Sequence, residues 1–236
     1  MRLDRLLANL KFGSRKEVQQ MIKDGQVFIN GEPHFTHSTK LNPKEDKVVV
    51  SGEEIYYKEE IILALYKPVG YLSANHDSYH PVALDLLELP YSRHPFKIAG
   101  RLDLDSEGLL ILTTNGNTVH LITNPNQKVL KTYEVTTKEE IDEMLLNRLL
   151  EPISILDGSN KPYLAKALDV KIGDNKKQSF ITIDTGKFHQ VRRMYQAIGY
   201  EVVNLKRIKV GKLNLPNIKP GEYIEVTKED ILWIKT

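Results

Sequence analysis

The chain has 236 residues, 41% hydrophobic and 27% charged, with no cysteine and a net charge of only +2. That length holds one large or two modest domains of ordinary globular composition, and the missing thiols exclude disulfides and thiolate metal centres and suit a reducing cytoplasm. No apolar run approaches the ~20 residues that cross a bilayer, and Met1-Arg2-Leu3-Asp4-Arg5 lacks the apolar core of a signal peptide, so no membrane role is expected.

The charge is unevenly spread. The first 23 residues carry six cations, Arg2, Arg5, Lys11, Arg15, Lys16 and Lys23, against two acids, Asp4 and Glu17. Leu3, Leu6, Leu7 and Leu10 recur at helical spacing and predict one buried stripe, which Gly13 ends. Ser14-Arg15-Lys16-Glu17 fits a capping box opening a second helix, with Val18, Met21 and Ile22 on its apolar face and Gly25 as its left-handed stop. Gln26 to Ile29 reads as a strand, Asn30-Gly31 as a tight turn, and Lys47 to Val50 as a second strand. Residues 51–60 are polar enough to be a linker. We place a domain boundary near residue 58, giving domains 1–58 and 59–236.

In the second domain Ile61 to Tyr66 reads as a buried strand, and Lys67-Pro68-Val69-Gly70-Tyr71 as a sharp exit from it. Gly100-Arg101-Leu102-Asp103-Leu104-Asp105 alternates charged and apolar residues. If extended, it places Arg101, Asp103 and Asp105 on one face, ahead of a buried strand at Leu109 to Leu112. A carboxylate held beside an arginine is a candidate nucleophile or general base; the plainer reading is surface ion pairing on a strand edge. A calcium loop starting at Asp103 is poor, because its twelfth position is Thr114 rather than a bidentate glutamate. Lys131 to Val135 alternates as a strand with Tyr133 opposite Thr132 and Glu134. Lys138 to Leu150 reads as an amphipathic helix and Ser179 to Asp184 as a strand. Phe188 to Ile198 reads as a helix with His189, Arg192, Arg193 and Gln196 on one polar face. Val202 to Ile208 follows as a strand ending in Lys206 and Arg207.

The order helix, Gly-Ser turn, basic capped helix, then "DGQVFINGE" resembles an S4 RNA-binding module. The segments "KPVGY", "HPVALDLL", "AGRLDLDSEGLLILTTNG", "KTYEV", "GKFHQVRRMYQAIGYEVVNLKRIKVG" and "KPGEY" resemble the RsuA family of pseudouridine synthases, from Met1 to about Lys228. The resemblance implies an α+β protein: a small S4-like module followed by a catalytic domain with a mixed, largely antiparallel sheet. It implies an isomerase converting uridine to pseudouridine in ribosomal RNA, most like the 16S branch.

By the same resemblance Asp103 is the catalytic aspartate, Tyr133 lines the pocket against the uracil, and Arg192 pairs with Asp103. The S4 resemblance implies that Arg2, Arg5, Arg15, Lys16 and Lys23 touch RNA phosphates. Drawing the target base from its stack has a cost that Arg193, Lys206 and Arg207 are expected to offset through the flanking phosphates, and Arg101 and His189 are expected to contact the RNA as well. Breaking N1–C1′ and joining C5 to C1′ oxidises nothing and imports no group, so no cofactor and no metal are expected. The competing readings are a large-subunit (23S) synthase of the same family and a non-catalytic RNA-binding assembly factor. A cytoplasmic monomer is expected.

Overall fold

In the computed structural model, which describes Met1–Leu232, the N-terminal leucines form the stripe that their spacing predicts. Helix α1 (Leu3–Asn9) buries Leu3, Leu6 and Leu7, and helix α2 (Arg15–Lys23) adds Val18 and Ile22. The capping box closes in both directions: the Ser14 hydroxyl accepts from the Glu17 amide, and the Glu17 carboxylate accepts from the Ser14 amide. Strands β1 (Val27–Ile29) and β2 (Glu32–Pro33) meet at Asn30-Gly31, whose φ angles of 53° and 89° suit a two-residue hairpin turn.

Strand β3 (Val48–Val50) pairs with β1 on one side and with β4 (Glu53–Glu54) on the other. That last pairing corrects the reading of residues 51–60 as a linker. Ser51-Gly52 is a second tight turn with both residues at positive φ, and the chain beyond it runs back as strand. An exposed edge strand can be as polar as a linker, so composition alone does not separate them.

The chain divides into two compact units: Met1–Ile61 with Leu87–Phe96, and Ile62–Leu86 with the chain from Lys97 on. Leu87–Phe96 is held to the first unit by side-chain contacts. The Arg93 guanidinium pairs with Glu53 and lies 3.9 Å from the centroid of the Phe12 ring, while Lys11 donates to the Ser92 carbonyl at 2.9 Å.

The second unit is built on one sheet. Its strands are β5 (Ile62–Lys67), β6 (Lys97–Ala99), β7 (Glu107–Thr113) and β8 (Lys131–Thr137). After the separate hairpin of β9 (Ile153–Leu156) and β10 (Pro162–Ala165) come β11 (Asp169–Ile172), β12 (Gln178–Ile183) and β13 (Val202–Val210). Strands β14 (Leu213–Asn214) and β15 (Tyr223–Val226) complete it. The order is β11-β12-β8-β13-β7-β5-β15, with β6 added to β7 and β14 to β13. Among the described strands only the β7–β13 pairing of this sheet is parallel, so the sheet is mixed and largely antiparallel.

Burial follows position in the sheet. Central β5 is buried along its whole length, which is why it reads as an unbroken apolar run. Strand β8, in contrast, alternates, turning Lys131, Tyr133, Val135 and Thr137 inward. Helices α3 (Gly116–Thr123), α4 (Glu143–Asn147), α5 (Gln190–Ala197) and α6 (Lys228–Ile231) complete the unit. No helix among the described residues is long and apolar enough to cross a membrane.

Two predicted helices are shorter than their periodicity suggests. For Lys138 to Leu150, the Asp142 carboxylate caps α4 by accepting from the Leu145 amide. The Ile141 amide, which would close the first turn on the Thr137 carbonyl, is spent instead on the Lys176 carbonyl, so that turn does not form. For Phe188 to Ile198, His189 stands at φ 49°, a left-handed conformation outside the helix, and leaves Phe188 before it.

Gly108 permits the parallel crossing. A Cβ there would fall 2.3 Å from the Arg207 carbonyl oxygen and 2.7 Å from its amide nitrogen, and the residue stands at φ 105°. Gly108→Ala must therefore separate β7 from β13, at a cost on the order of 3 kcal/mol or more. Thermal denaturation should show a midpoint lowered by about 6 °C or more. An unchanged midpoint would contradict this close approach.

Candidate active site

The segment carrying Asp103 is held by its backbone. Gly100, at φ 94°, leaves β6, and the chain then runs extended without joining the sheet. Leu102 is gripped on both sides by Ser73, whose hydroxyl accepts from the Leu102 amide at 3.0 Å and donates to its carbonyl at 2.8 Å. The Leu102 side chain is buried. Extension stops two residues later, where the Leu104 carbonyl accepts from the Gly70 amide and the Ser106 amide closes a turn on the Asp103 carbonyl. This corrects the expectation that Arg101, Asp103 and Asp105 share one strand face: a turn at Leu104-Asp105 intervenes. The Asp103 side chain is 32% exposed and Asp105 63%.

Arg207 braces the same segment from beneath. Although expected among the contacts to flanking phosphates, it is only 1% exposed. Its guanidinium donates to the carbonyls of Leu109 at 2.7 Å, Gly100 at 3.0 Å and Arg101 at 3.3 Å. A phosphate-contacting role is therefore overturned. The physical reason is strand alternation, because Leu205 and Arg207 both face the interior. Lys206, between them, is only partly buried; its ammonium lies 5.0 Å from the Tyr66 ring centroid, beside a Tyr66 hydroxyl that donates to Glu107 at 2.9 Å.

A cavity of about 640 Å³ opens over this arrangement, lined by Arg101, Leu102, Asp103, Lys131, Tyr133, Asp184, Phe188, His189, Leu205 and Arg207 among others. Tyr133 is buried and reaches the cavity from β8. Two buried lysines belong to the same region, Lys131 in the cavity lining and Lys67 in electrostatic reach of Asp103 and Asp105. The Lys131 ammonium donates to the Val129 carbonyl, and burial pushes it down to about 8. Burial likewise pushes Lys67 down to about 8, against the opposing pull of Asp103 and Asp105. Its ammonium donates to the Pro68 carbonyl at 2.8 Å.

The basic residues of α5 divide between roles. His189 comes to Asp103, with Nε2 3.5 Å from Oδ1. Arg192 does not. Its guanidinium pairs with the Asp105 carboxylate at 3.1 Å and donates to the Asp105 and Val202 carbonyls. The Arg192–Asp103 pair implied by resemblance is thus replaced by Arg192–Asp105, because the turn after Leu104 presents Asp105 to α5. Arg193 donates to the Leu156 and Asp157 carbonyls of the β9–β10 hairpin. No group of three or more His, Asp or Glu side chains that could hold a metal ion occurs among the described residues.

In the first unit the five cations named from the sequence fall into two sets. Asp4 is fully buried, with Arg2 against it at 2.8 Å and Arg15 at 3.4 Å. Hydrogen bonding from Arg2 holds the Asp4 carboxyl far below the usual carboxylate range, with Gln19 adding to the effect. Arg5, Lys16 and Lys23 are exposed and make no ion pair among the described residues.

The comparisons with known proteins agree with this architecture. Residues 61–197 match the family model described as RNA pseudouridylate synthase, and residues 1–34 match the S4 domain. The chain belongs to the RNA pseudouridylate synthase family and carries an N-terminal S4 domain; it is an isomerase of the pseudouridine synthase class. It is 43% identical over 98% of its length to the uncharacterized RNA pseudouridine synthase YtzG of Bacillus subtilis, covering 97% of that protein. It is 32% identical to ribosomal small subunit pseudouridine synthase A of Vibrio parahaemolyticus, with 98% of each chain covered. Against ribosomal large subunit pseudouridine synthase B of Bacillus subtilis the identity is 34%, covering 98% of this chain and 93% of that one. A crystal structure of a pseudouridylate synthase superposes with a TM-score of 0.65 at 31% identity, covering 98% of this chain and 97% of that one.

Several structural roles at the site were not read from the sequence. Lys131 reads only as the opening of a strand, and its inward face follows from sharing period two with Tyr133 and Val135. Arg207 could have been placed inside by the same test against Leu205. Ser73 lies in an irregular segment, where no periodicity points to its partner 29 residues on.

Proposed function

We propose that this chain converts a uridine of small-subunit ribosomal RNA to pseudouridine in the cytoplasm, acting as a monomer, with Asp103 as the catalytic carboxylate. The observation that carries the proposal is Asp103 itself. It is half-buried in the wall of a cavity of about 640 Å³, with buried Tyr133 in the same cavity and the Arg207 guanidinium behind the segment that bears it.

In the reaction the N1–C1′ bond breaks, the uracil turns, C5 joins C1′, and the C5 proton leaves for solvent while N1 gains one. An anionic oxygen beside the sugar serves either route, attack on C1′ or assistance to glycal formation. Tyr133 offers its ring to the uracil, Arg101 stands exposed at the cavity edge for the RNA backbone, and Arg192 holds the Asp105 turn next to Asp103.

The small-subunit target is supported by relatives that match end to end, with 98% of both chains covered. The relative named for the large subunit keeps 23S RNA as the second reading. Reverse-transcription mapping of carbodiimide-treated 16S and 23S RNA, from cells with and without the gene, decides between them. A stop lost from 16S RNA supports the proposal, and one lost from 23S RNA alone overturns it.

The exposed Arg5, Lys16 and Lys23 are the phosphate contacts that remain free to act. Lys16→Glu with Lys23→Glu should weaken rRNA binding roughly tenfold or more and flatten the dependence of log K on log salt by about 1.5. Filter binding across a salt series measures both, and an unchanged slope would contradict the assignment.

A further inference from the structure

The rim of the cavity carries an aromatic stack with no evident structural duty. The rings of Phe188 and His189 lie 3.8 Å apart and within 16° of parallel, although the residues are neighbours in sequence. Phe188 is 51% exposed despite its size, so it does not serve the core. It is nevertheless held in place. The Arg193 guanidinium lies 5.0 Å from its ring centroid, anchored by the Leu156 and Asp157 carbonyls. Gly158 packs so closely that a Cβ there would stand 3.2 Å from the Phe188 Cβ. Both rings line the cavity, and His189 reaches to 3.5 Å from Asp103.

An aromatic pair with an exposed phenylalanine, held by Arg193 and Gly158 beside the reacting carboxylate, is suited to a flat, polarisable ligand rather than to a phosphate. We propose that the Phe188–His189 stack is a platform for an unpaired nucleobase next in sequence to the uridine that enters the cavity. This rests on the cavity being the uridine site. Drawing one base out of a stack leaves its neighbour without a partner, and an aromatic surface at the mouth replaces what that neighbour loses. Because every base has a π-face, the platform positions the RNA without selecting a sequence.

The test uses single-stranded heptaribonucleotides with a central uridine and 2-aminopurine immediately 5′ or 3′ to it. Stacking quenches the fluorescence. One of the two probes should be quenched by the intact protein and equally by Asp103→Asn. Phe188→Ala should abolish the quench and weaken binding about 5- to 50-fold, Phe188→Tyr should restore both, and Phe188→Leu, apolar but without a ring, should restore neither. Quenching by Phe188→Ala at the wild-type level, or its restoration by Phe188→Leu, would overturn the proposal. Tritium release from rRNA labelled at uridine C5 reports on the uridine site separately. Release accompanied by two unquenched probes would remove the platform and leave the uridine site standing.

Discussion

Asp103→Asn should lower uridine isomerisation by about 10,000-fold or more while leaving RNA affinity and thermal stability close to wild type. The carboxylate is not part of the scaffold. Among the described residues its side chain meets His189, at a loose 3.5 Å, and the segment around it is held through its backbone by Ser73, Gly70 and Arg207. Asparagine matches the shape and removes only the charge, so a loss of turnover traces to the missing anion. Single-turnover kinetics beside filter binding separates the two effects. A variant retaining even a hundredth of wild-type turnover would argue against a catalytic role for this carboxylate.

The second large effect is expected at Arg207. Its guanidinium satisfies three carbonyls, those of Leu109, Gly100 and Arg101, while the residue is only 1% exposed at the floor of the cavity. Replacing a buried ion with an apolar group is often tolerable when its partners are replaced too. Here the partners are main-chain oxygens and remain. Arg207→Met should therefore cost about 3 to 5 kcal/mol, with a melting midpoint lowered by roughly 6 °C or more. Turnover by the folded fraction should fall as well, since Gly100 and Arg101 lead directly into Asp103. Arg207→Lys keeps the charge but not the fork that spans separate carbonyls, and should fall between the two. Calorimetry and kinetics on the pair test this; wild-type stability and turnover in Arg207→Met would contradict the bracing role.

Much of this was legible in the order of residues, for identifiable reasons. The capping box, the leucine stripe and the Asn-Gly turn are local devices, each decided within a few residues, and each forms as its sequence dictates. Strands β5 and β7 are central and read as apolar runs; β8 has one buried face and reads as alternation. What stayed hidden depends on distant partners. The turn at Leu104-Asp105 is tied to Gly70, and it redirects Asp105 to Arg192. The return of Leu87–Phe96 to the first unit runs through Arg93 and Glu53, 40 residues apart. Arg207 was misread because a cation at the end of a strand suggests solvent, when its alternation with Leu205 already pointed inward. Helical periodicity takes in Phe188 because it extends past the point where His189 leaves the helical backbone region.

The most direct measurement is tritium release from 16S rRNA labelled at uridine C5, naked and partly assembled, with wild-type protein and Asp103→Asn side by side. Isomerisation expels the C5 hydrogen, so the wild-type protein should release tritium in proportion to the uridines it converts, and the variant should release none above background. Equal release by both proteins would contradict Asp103 as the catalytic carboxylate, and no release by wild type from 16S RNA would contradict the small-subunit assignment.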